Sequence, residues 1–136
     1  MTKTAGQIEQ DLYDIVSNST LPTEVSGKVY KRGTRPTDSK EEDILVGFIA
    51  GLDSEVSTGM VFVNVYVPQI TSGGTSIKNT QRVSQVEGLL RSFFDTLSGN
   101  SEYLFSLDST IQSFEDKDIK QDIASMRMRY KIYTNN

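Results

Sequence analysis

The chain has 136 residues, a length typical of one domain, so we expect residues 1–136 to form a single domain around one core. It contains no cysteine and no histidine, which excludes disulfides and thiol nucleophiles and removes the commonest metal ligand and the base of most hydrolytic triads. With 14 basic against 18 acidic residues the net charge is −4, which makes binding to nucleic acid unlikely.

The first half of the chain predicts one helix and two strands. Apolar side chains recur at helical spacing over residues 4–17, which predicts an amphipathic helix. Residues 27–31 predict a short strand, followed by a polar segment over 32–42. Residues 43–50 predict a second strand with apolar side chains on both faces, a pattern typical of a strand covered on both sides. Residues 51–59 predict a hairpin turn.

The middle of the chain predicts a strand, a loop and a helix. Residues 60–67 alternate strictly, and one face carries only valines, namely Val61, Val63, Val65 and Val67. Residues 69–78 are rich in Gly, Ser and Thr and predict a loop. Residues 80–97 predict a second amphipathic helix, which Gly99 is placed to end. Gly88 inside this helix predicts a close backbone contact, because glycine costs about 1 kcal/mol there relative to alanine.

The last third alternates with the period of a β-strand. Residues 103–114 predict one or two strands, 115–121 a charged turn, and 123–133 a long final strand. The polar face of the final strand carries the cations Arg127, Arg129 and Lys131. A slip of one residue would bury these cations, so we expect a fixed register. Taken together, the order of elements predicts an α+β fold: a mostly antiparallel sheet of about five strands with two amphipathic helices packed on it.

Two stretches resemble ligand-binding loops but fail their spacing rules. Before the second helix, Lys78 lacks the preceding glycine that a phosphate-binding loop requires. The acids within 115–122 resemble the start of a calcium loop, yet a count from Asp116 places Lys120 and Arg127 where acidic ligands are needed. We therefore predict no catalytic residue, no cofactor or metal site and no enzymatic activity. The longest apolar run is also too short to span a membrane.

Charge is segregated along the chain. A basic block beside the first strand precedes a run of acids, and the final strand adds a second basic stripe. Complementary charge between subunits fixes register at an interface, and Tyr and Arg are enriched there. Ordinary solvated surface and pairing within the monomer remain open as alternatives. The candidate interface residues are Lys31, Arg32, Arg35, Glu41, Glu42, Arg127, Arg129, Lys131 and Tyr133.

Several of these features occur together in a known family. They are the N-terminal amphipathic helix, the Gly27-Lys28-Val29-Tyr30 strand with Arg35-Pro36 after it, the strand pair through Val67-Pro68, the second helix ending near Leu97, and a final hairpin closing with Arg127-Met128-Arg129-Tyr130. This pattern resembles the tail-completion (tail-terminator, minor tail) proteins of long-tailed bacteriophages and prophages, and it covers most of the chain.

The resemblance implies a structural virion assembly protein. Its copies would form a ring, expected to be a hexamer, that caps the tail tube and joins it to the head–tail connector. The implied partners are copies of itself, tube proteins and connector proteins, located in the bacterial host cytoplasm during assembly and then in the virion tail. The loop at 69–78 would be an arm that reaches a neighbour.

Two other functions remain open. The chain could be a small-ligand or regulatory binding domain without catalysis, with its pocket between sheet and helices. The cations of the final strand could also have a minor role in contacting nucleic acid.

Overall fold

A computed structural model describes residues 3–53, 56–97 and 102–133. The elements are α1 (Ala5–Ser17), a 3-10 turn (Leu21–Glu24), β1 (Val29–Lys31), β2 (Ile44–Leu52), β3 (Val56–Pro68), β4 (Ile70–Ser72), β5 (Thr75–Ile77), α2 (Thr80–Asp95), β6 (Tyr103–Leu107), β7 (Gln112–Asp116) and β8 (Gln121–Tyr133). The predicted α+β class is confirmed. The predicted helix end at Gly99 lies outside the described residues.

The main sheet has six strands, in the order β1-β2-β3-β8-β6 with β7 also paired to β8. All pairs are antiparallel except β1 with β2. Strands β6 and β7 lie end to end along the same edge of β8, because Leu107 pairs with Met128 and Gln112 pairs with Ser125. The final strand therefore pairs with three others, and β3 is the central strand of the sheet.

Both helices pack on one face of this sheet. The strand residues that face them are all buried and include the predicted valines of β3 and, on β8, Ala124, Met126, Met128, Tyr130 and Ile132. The helix residues buried against them are Ile8, Leu12 and Val16 of α1 and Val83, Val86, Leu90 and Phe93 of α2. The predicted amphipathic faces and the predicted register of β8 are thus confirmed.

Side-chain caps set where the helices begin. The Thr4 hydroxyl accepts from the backbone N–H of Gln7, and the Gln7 side chain accepts in return from the Thr4 N–H. Asn79 caps α2 by accepting from the backbone N–H of Arg82 at 3.2 Å. Such caps satisfy N–H groups that have no partner inside the helix, so the local sequence fixes these boundaries.

The segment predicted as a loop at 69–78 is instead a β-hairpin. Ile70 pairs with Ile77, and the turn residues Gly73 and Gly74 have φ values of 58° and 80°. Two successive positive φ values define a type I′ turn, whose twist matches that of the two strands in a hairpin with a two-residue loop. Each strand has only three residues, too few for an alternating pattern to appear in the sequence.

The expectation that β2 is covered on both sides is wrong for its second half. Ile49 is 36% exposed and Leu52 is 70% exposed. The pairing with β3 shifts between Phe48 and Ala50, and the strand continues to Leu52 instead of turning at Gly51. A bulge of this kind re-aims side chains, so apolar residues that look like core positions reach the surface.

A buried ion pair fastens the long crossover between β1 and β2. Arg35 donates through Nε to Asp43 Oδ2 at 2.9 Å, and the two side chains are 8% and 2% exposed. The same carboxylate accepts from the Ser39 hydroxyl at 2.5 Å and from the Lys28 backbone N–H at 3.0 Å. Its charge is therefore balanced and its oxygens are hydrogen-bonded, as a buried carboxylate requires.

Two further contacts hold the crossover against the sheet. The Arg35 guanidinium lies 3.7 Å from the centre of the Tyr66 ring and donates to Gln121 Oε1 at 3.0 Å. Gln121 donates in turn to the Ser39 carbonyl at 2.8 Å. The crossover thus covers one end of the sheet face that the helices leave open.

We expect Gly27→Ala to lower the free energy of unfolding by about 1–3 kcal/mol. A Cβ at Gly27 would lie 2.2 Å from Asp43 Oδ1 and 2.7 Å from the Asp43 backbone nitrogen, so the backbone beside the ion pair would have to move. Chemical denaturation measures the change.

The control is Gly88→Ala in the middle of α2. Gly88 is exposed, and a Cβ there would meet none of the described neighbours within 4 Å, so the close contact predicted for Gly88 is wrong. The free energy of unfolding of this variant should rise by roughly 0.5–1 kcal/mol, because alanine has a higher helix propensity than glycine. Equal effects of the two substitutions would contradict the proposed crowding at Gly27.

Candidate subunit interface

The sheet face opposite the helices, here called the open face, carries the second set of alternating side chains. Among the described residues no helix or second sheet packs on it, and only the crossover over 32–43 covers one end. Its central residues are Thr58, Met60, Phe62, Asn64 and Tyr66 on β3 and Ser125, Arg127, Arg129 and Lys131 on β8. This face mixes apolar, aromatic and cationic side chains.

The predicted cations of β8 form a ladder on the open face. Arg127, Arg129 and Lys131 are all exposed and alternate with the buried Met128 and Tyr130. Arg129 pairs with Asp108 at 2.8 Å but remains 66% exposed. An exposed pair of this kind contributes at most about 1 kcal/mol, so Arg129 is readily available to another partner.

Arg32 joins this face through an aromatic stack. A Cβ at Gly47 would lie 2.5 Å from the Phe62 ring, which shows that the ring occupies the space above this glycine. The Arg32 guanidinium lies 5.9 Å from the centre of the same ring, and Nη1 donates to the Phe48 carbonyl at 3.3 Å. The backbone of Phe62 also pairs in register with that of Arg127, so these two residues are neighbours on the open face.

An apolar depression, here called the groove, lies at the other end of the open face from the crossover. Its volume is about 610 Å³. Its lining includes Leu52, Thr58, Met60, Leu104, Arg129 and Lys131. Leu52 and Leu104, on opposite sides of the groove, are 70% and 62% exposed, which is unusual for two large apolar side chains that line one depression. The groove thus has apolar walls with two cations beside them.

The remaining candidate residues lie elsewhere. Lys31 is on the helix side, where it donates to Gln10 Oε1 and its ammonium lies 5.4 Å from the centre of the Tyr13 ring. Arg35 is buried in the ion pair described above. Glu41 is exposed on the crossover. The backbone of Tyr133 pairs with that of Val56, while its side chain lies outside what the structure describes.

Glu42 forms an ion pair within the monomer with Arg82, a residue that is not among the predicted interface residues. Arg82 donates to it through both Nε and Nη2, at 2.7 and 2.8 Å, and through Nη2 also to the Glu24 carbonyl. These hydrogen bonds lower the pKa of Glu42 and raise that of Arg82. Because 40 residues separate the partners, no local pattern indicates this pair.

A second charged cluster ties α1 to β6. Asp11 accepts from the Tyr103 hydroxyl at 2.6 Å and from Lys3 at 2.5 Å, and Lys3 also pairs with Glu102. Burial and the hydrogen bond to Asp11 raise the pKa of Tyr103. The Asp11 carboxylate is thus already held by a cation and a phenol, an arrangement that joins two elements. Within the described ranges, no three acidic side chains are grouped to hold a metal ion.

Comparison of the sequence with known protein families and with curated proteins found no match. Of the helices in the described ranges, none has the length and apolar character needed to cross a membrane.

We expect Glu42→Gln to lower the free energy of unfolding at neutral pH by about 1.5–3 kcal/mol, the range for hydrogen bonds to charged groups. The folded-state pKa of Glu42 lies below its ordinary value of 4.5. The stabilisation is therefore complete above that value and is lost as the pH falls through the folded-state pKa. Denaturation of wild type and variant across this pH range should show the two curves converging in acid.

Asp95→Asn is the matched control. Asp95 pairs with Arg91 one helical turn earlier, and both side chains are more than half exposed. Its loss should change stability by less than about 0.5 kcal/mol. A difference between wild type and Glu42→Gln that persists unchanged in acid would contradict the assigned role of the ion pair.

Proposed function

We propose that this protein is a non-catalytic virion assembly protein of the tail-completion kind, whose copies associate through the open face into a ring. The ring would cap a tail tube and join it to the head–tail connector. The observation that carries the proposal is the open face itself, where exposed Leu52 and Leu104 lie beside a ladder of three cations.

The composition of the open face favours a protein partner. Monomeric proteins rarely leave large apolar side chains grouped at the surface, and such groups mark interaction sites. Arginine and aromatic residues, as in the Arg32 and Phe62 stack, are enriched at interfaces. The space between sheet and helices, by contrast, is filled by side chains that are almost completely buried, which gives a small ligand little room there.

The charge pattern favours a ring over a two-fold dimer. In a two-fold contact the same surface meets itself, so an axis that passes near the ladder brings the ladders of the two copies together. Like charges placed opposite each other across an interface cost several kcal/mol. A head-to-tail contact avoids this cost because the cations of one copy meet a different, acidic surface of the next. Repeated head-to-tail contacts close into a ring when the rotation permits.

The proposed partners follow from the same assignment. Copies of the chain supply the ring, a tail tube binds one side of it and connector proteins bind the other. Assembly would take place in the bacterial host cytoplasm, and the finished protein would reside in the virion tail.

Native mass spectrometry and analytical ultracentrifugation across a concentration series test the ring. We expect a closed oligomer of about six copies, seen as annular particles by negative-stain electron microscopy. A chain that is monomeric or a two-fold dimer at every concentration would overturn the proposal.

Reversal of one ladder charge provides a sharper test. Arg127→Glu should weaken self-association by about tenfold or more, because it places an acid where a cation faces the acidic surface of a neighbour. Arg91→Glu is the control, since it makes the same charge change at an exposed position on α2. Sedimentation velocity measures both. Equal weakening by the two variants would point to net charge alone and exclude the ladder from the interface.

A further inference from the structure

The β4–β5 hairpin, here called the arm, leaves its apolar side chains only partly buried. Ile70 and Ile77 pair across the two strands, yet they are 46% and 42% exposed. The arm is anchored mainly at its base, where Gln69 accepts from the Ser76 hydroxyl at 2.7 Å and donates to Glu115 at 2.7 Å. An isolated two-stranded hairpin is only marginally stable in water. Burial of its exposed isoleucine pair against another surface would therefore stabilise the arm.

The groove of the same chain is out of reach of the arm. The arm follows Pro68, which pairs with Gln121 at one end of the sheet. The groove includes Thr58, which pairs with Lys131 at the other end. At about 3.3 Å per residue, these two ends of β3 are about 33 Å apart, whereas each arm strand spans only about 10 Å. An arm that fills a groove must therefore belong to a second copy.

The charges beside the two surfaces are complementary. The base of the arm adjoins the end of β7 and the turn after it, where the exposed or partly exposed acids Glu115, Asp116 and Asp118 outnumber Lys117 and Lys120. The groove is flanked by Arg129 and Lys131. Docking of one end of the sheet against the opposite end of the next copy would place these acids near these cations. Complementary charge of this kind fixes the orientation of a contact.

We propose that the arm of one copy docks in the groove of the next, with Ile70 and Ile77 packed against Leu52 and Leu104. The contact is head-to-tail, since arm and groove are different surfaces of one chain. This contact presupposes the proposed self-association, in which the arm would be the segment that joins neighbouring copies.

Disulfide trapping tests the contact directly, because the chain contains no cysteine of its own. Ser72 lies near the tip of the arm on the side of the isoleucines, and Leu104 lines the groove. Full-length S72C and a tagged L104C are mixed and oxidised, and the mixed dimer is isolated through the tag and identified by peptide mass. The control pairs S72C with a tagged S17C, since Ser17 is exposed at the end of α1 on the other face. We expect the S72C–L104C link to form at least tenfold faster than the control.

A thermodynamic measurement accompanies the trapping. I70T/I77T keeps residues that favour a strand but removes apolar surface, and it should weaken self-association roughly tenfold or more. L104T should also weaken self-association. The combined variant should lose less association free energy than the sum of the two separate losses, because both changes disrupt the same contact. T71S, on the other side of the arm, is the control and should have no effect.

The outcomes separate the two proposals. Fast S72C–L104C linkage with non-additive weakening supports the arm in the groove. An oligomer that forms normally while this link forms no faster than the control overturns the arm contact and leaves the proposed ring intact. A chain that does not self-associate at any concentration overturns both.

Discussion

The Arg35–Asp43 ion pair fixes the crossover between β1 and β2, and the layout of both sheet faces depends on it. Transfer of two charges from water costs several kcal/mol for each ion, so such a pair persists only when further hydrogen bonds satisfy it. Ser39, Gln121 and the Lys28 backbone N–H supply those bonds. With the crossover held, the neighbouring Glu42 meets Arg82, which joins the crossover to the start of α2.

The same crossover makes the two ends of the open face different. At one end it covers Gln121, which is buried. At the other end no described element covers Leu52 and Leu104, and the β8 cations stand beside them. A sheet face with unlike ends suits contacts between different surfaces of neighbouring copies, which is the geometry that a ring requires.

Elements with a long, regular pattern could be predicted from the sequence. The alternation along β3 and β8 is confirmed because burial of one sheet face selects one register. The caps at Thr4 and Asn79 act within a few residues, so local sequence also fixed the helix starts. The two strands of the arm were missed since three-residue strands carry no periodic signal, and the exposed end of β2 was missed because a bulge interrupts its alternation.

By itself, the sequence determined the α+β class, the two amphipathic helices and a final strand with three cations on one side, since each follows from spacing along the chain. Only the tertiary structure decided how the candidate residues are used. Arg35 and Glu42 are held by partners within the monomer, whereas Arg127 and Lys131 stay exposed and Arg129 stays largely exposed although it pairs with Asp108. Leu52 and Leu104 line opposite sides of one groove because β2 and β6 flank β3 and β8 in the sheet. Contacts between residues far apart in the chain depend on strand pairing, which spacing along one strand does not specify.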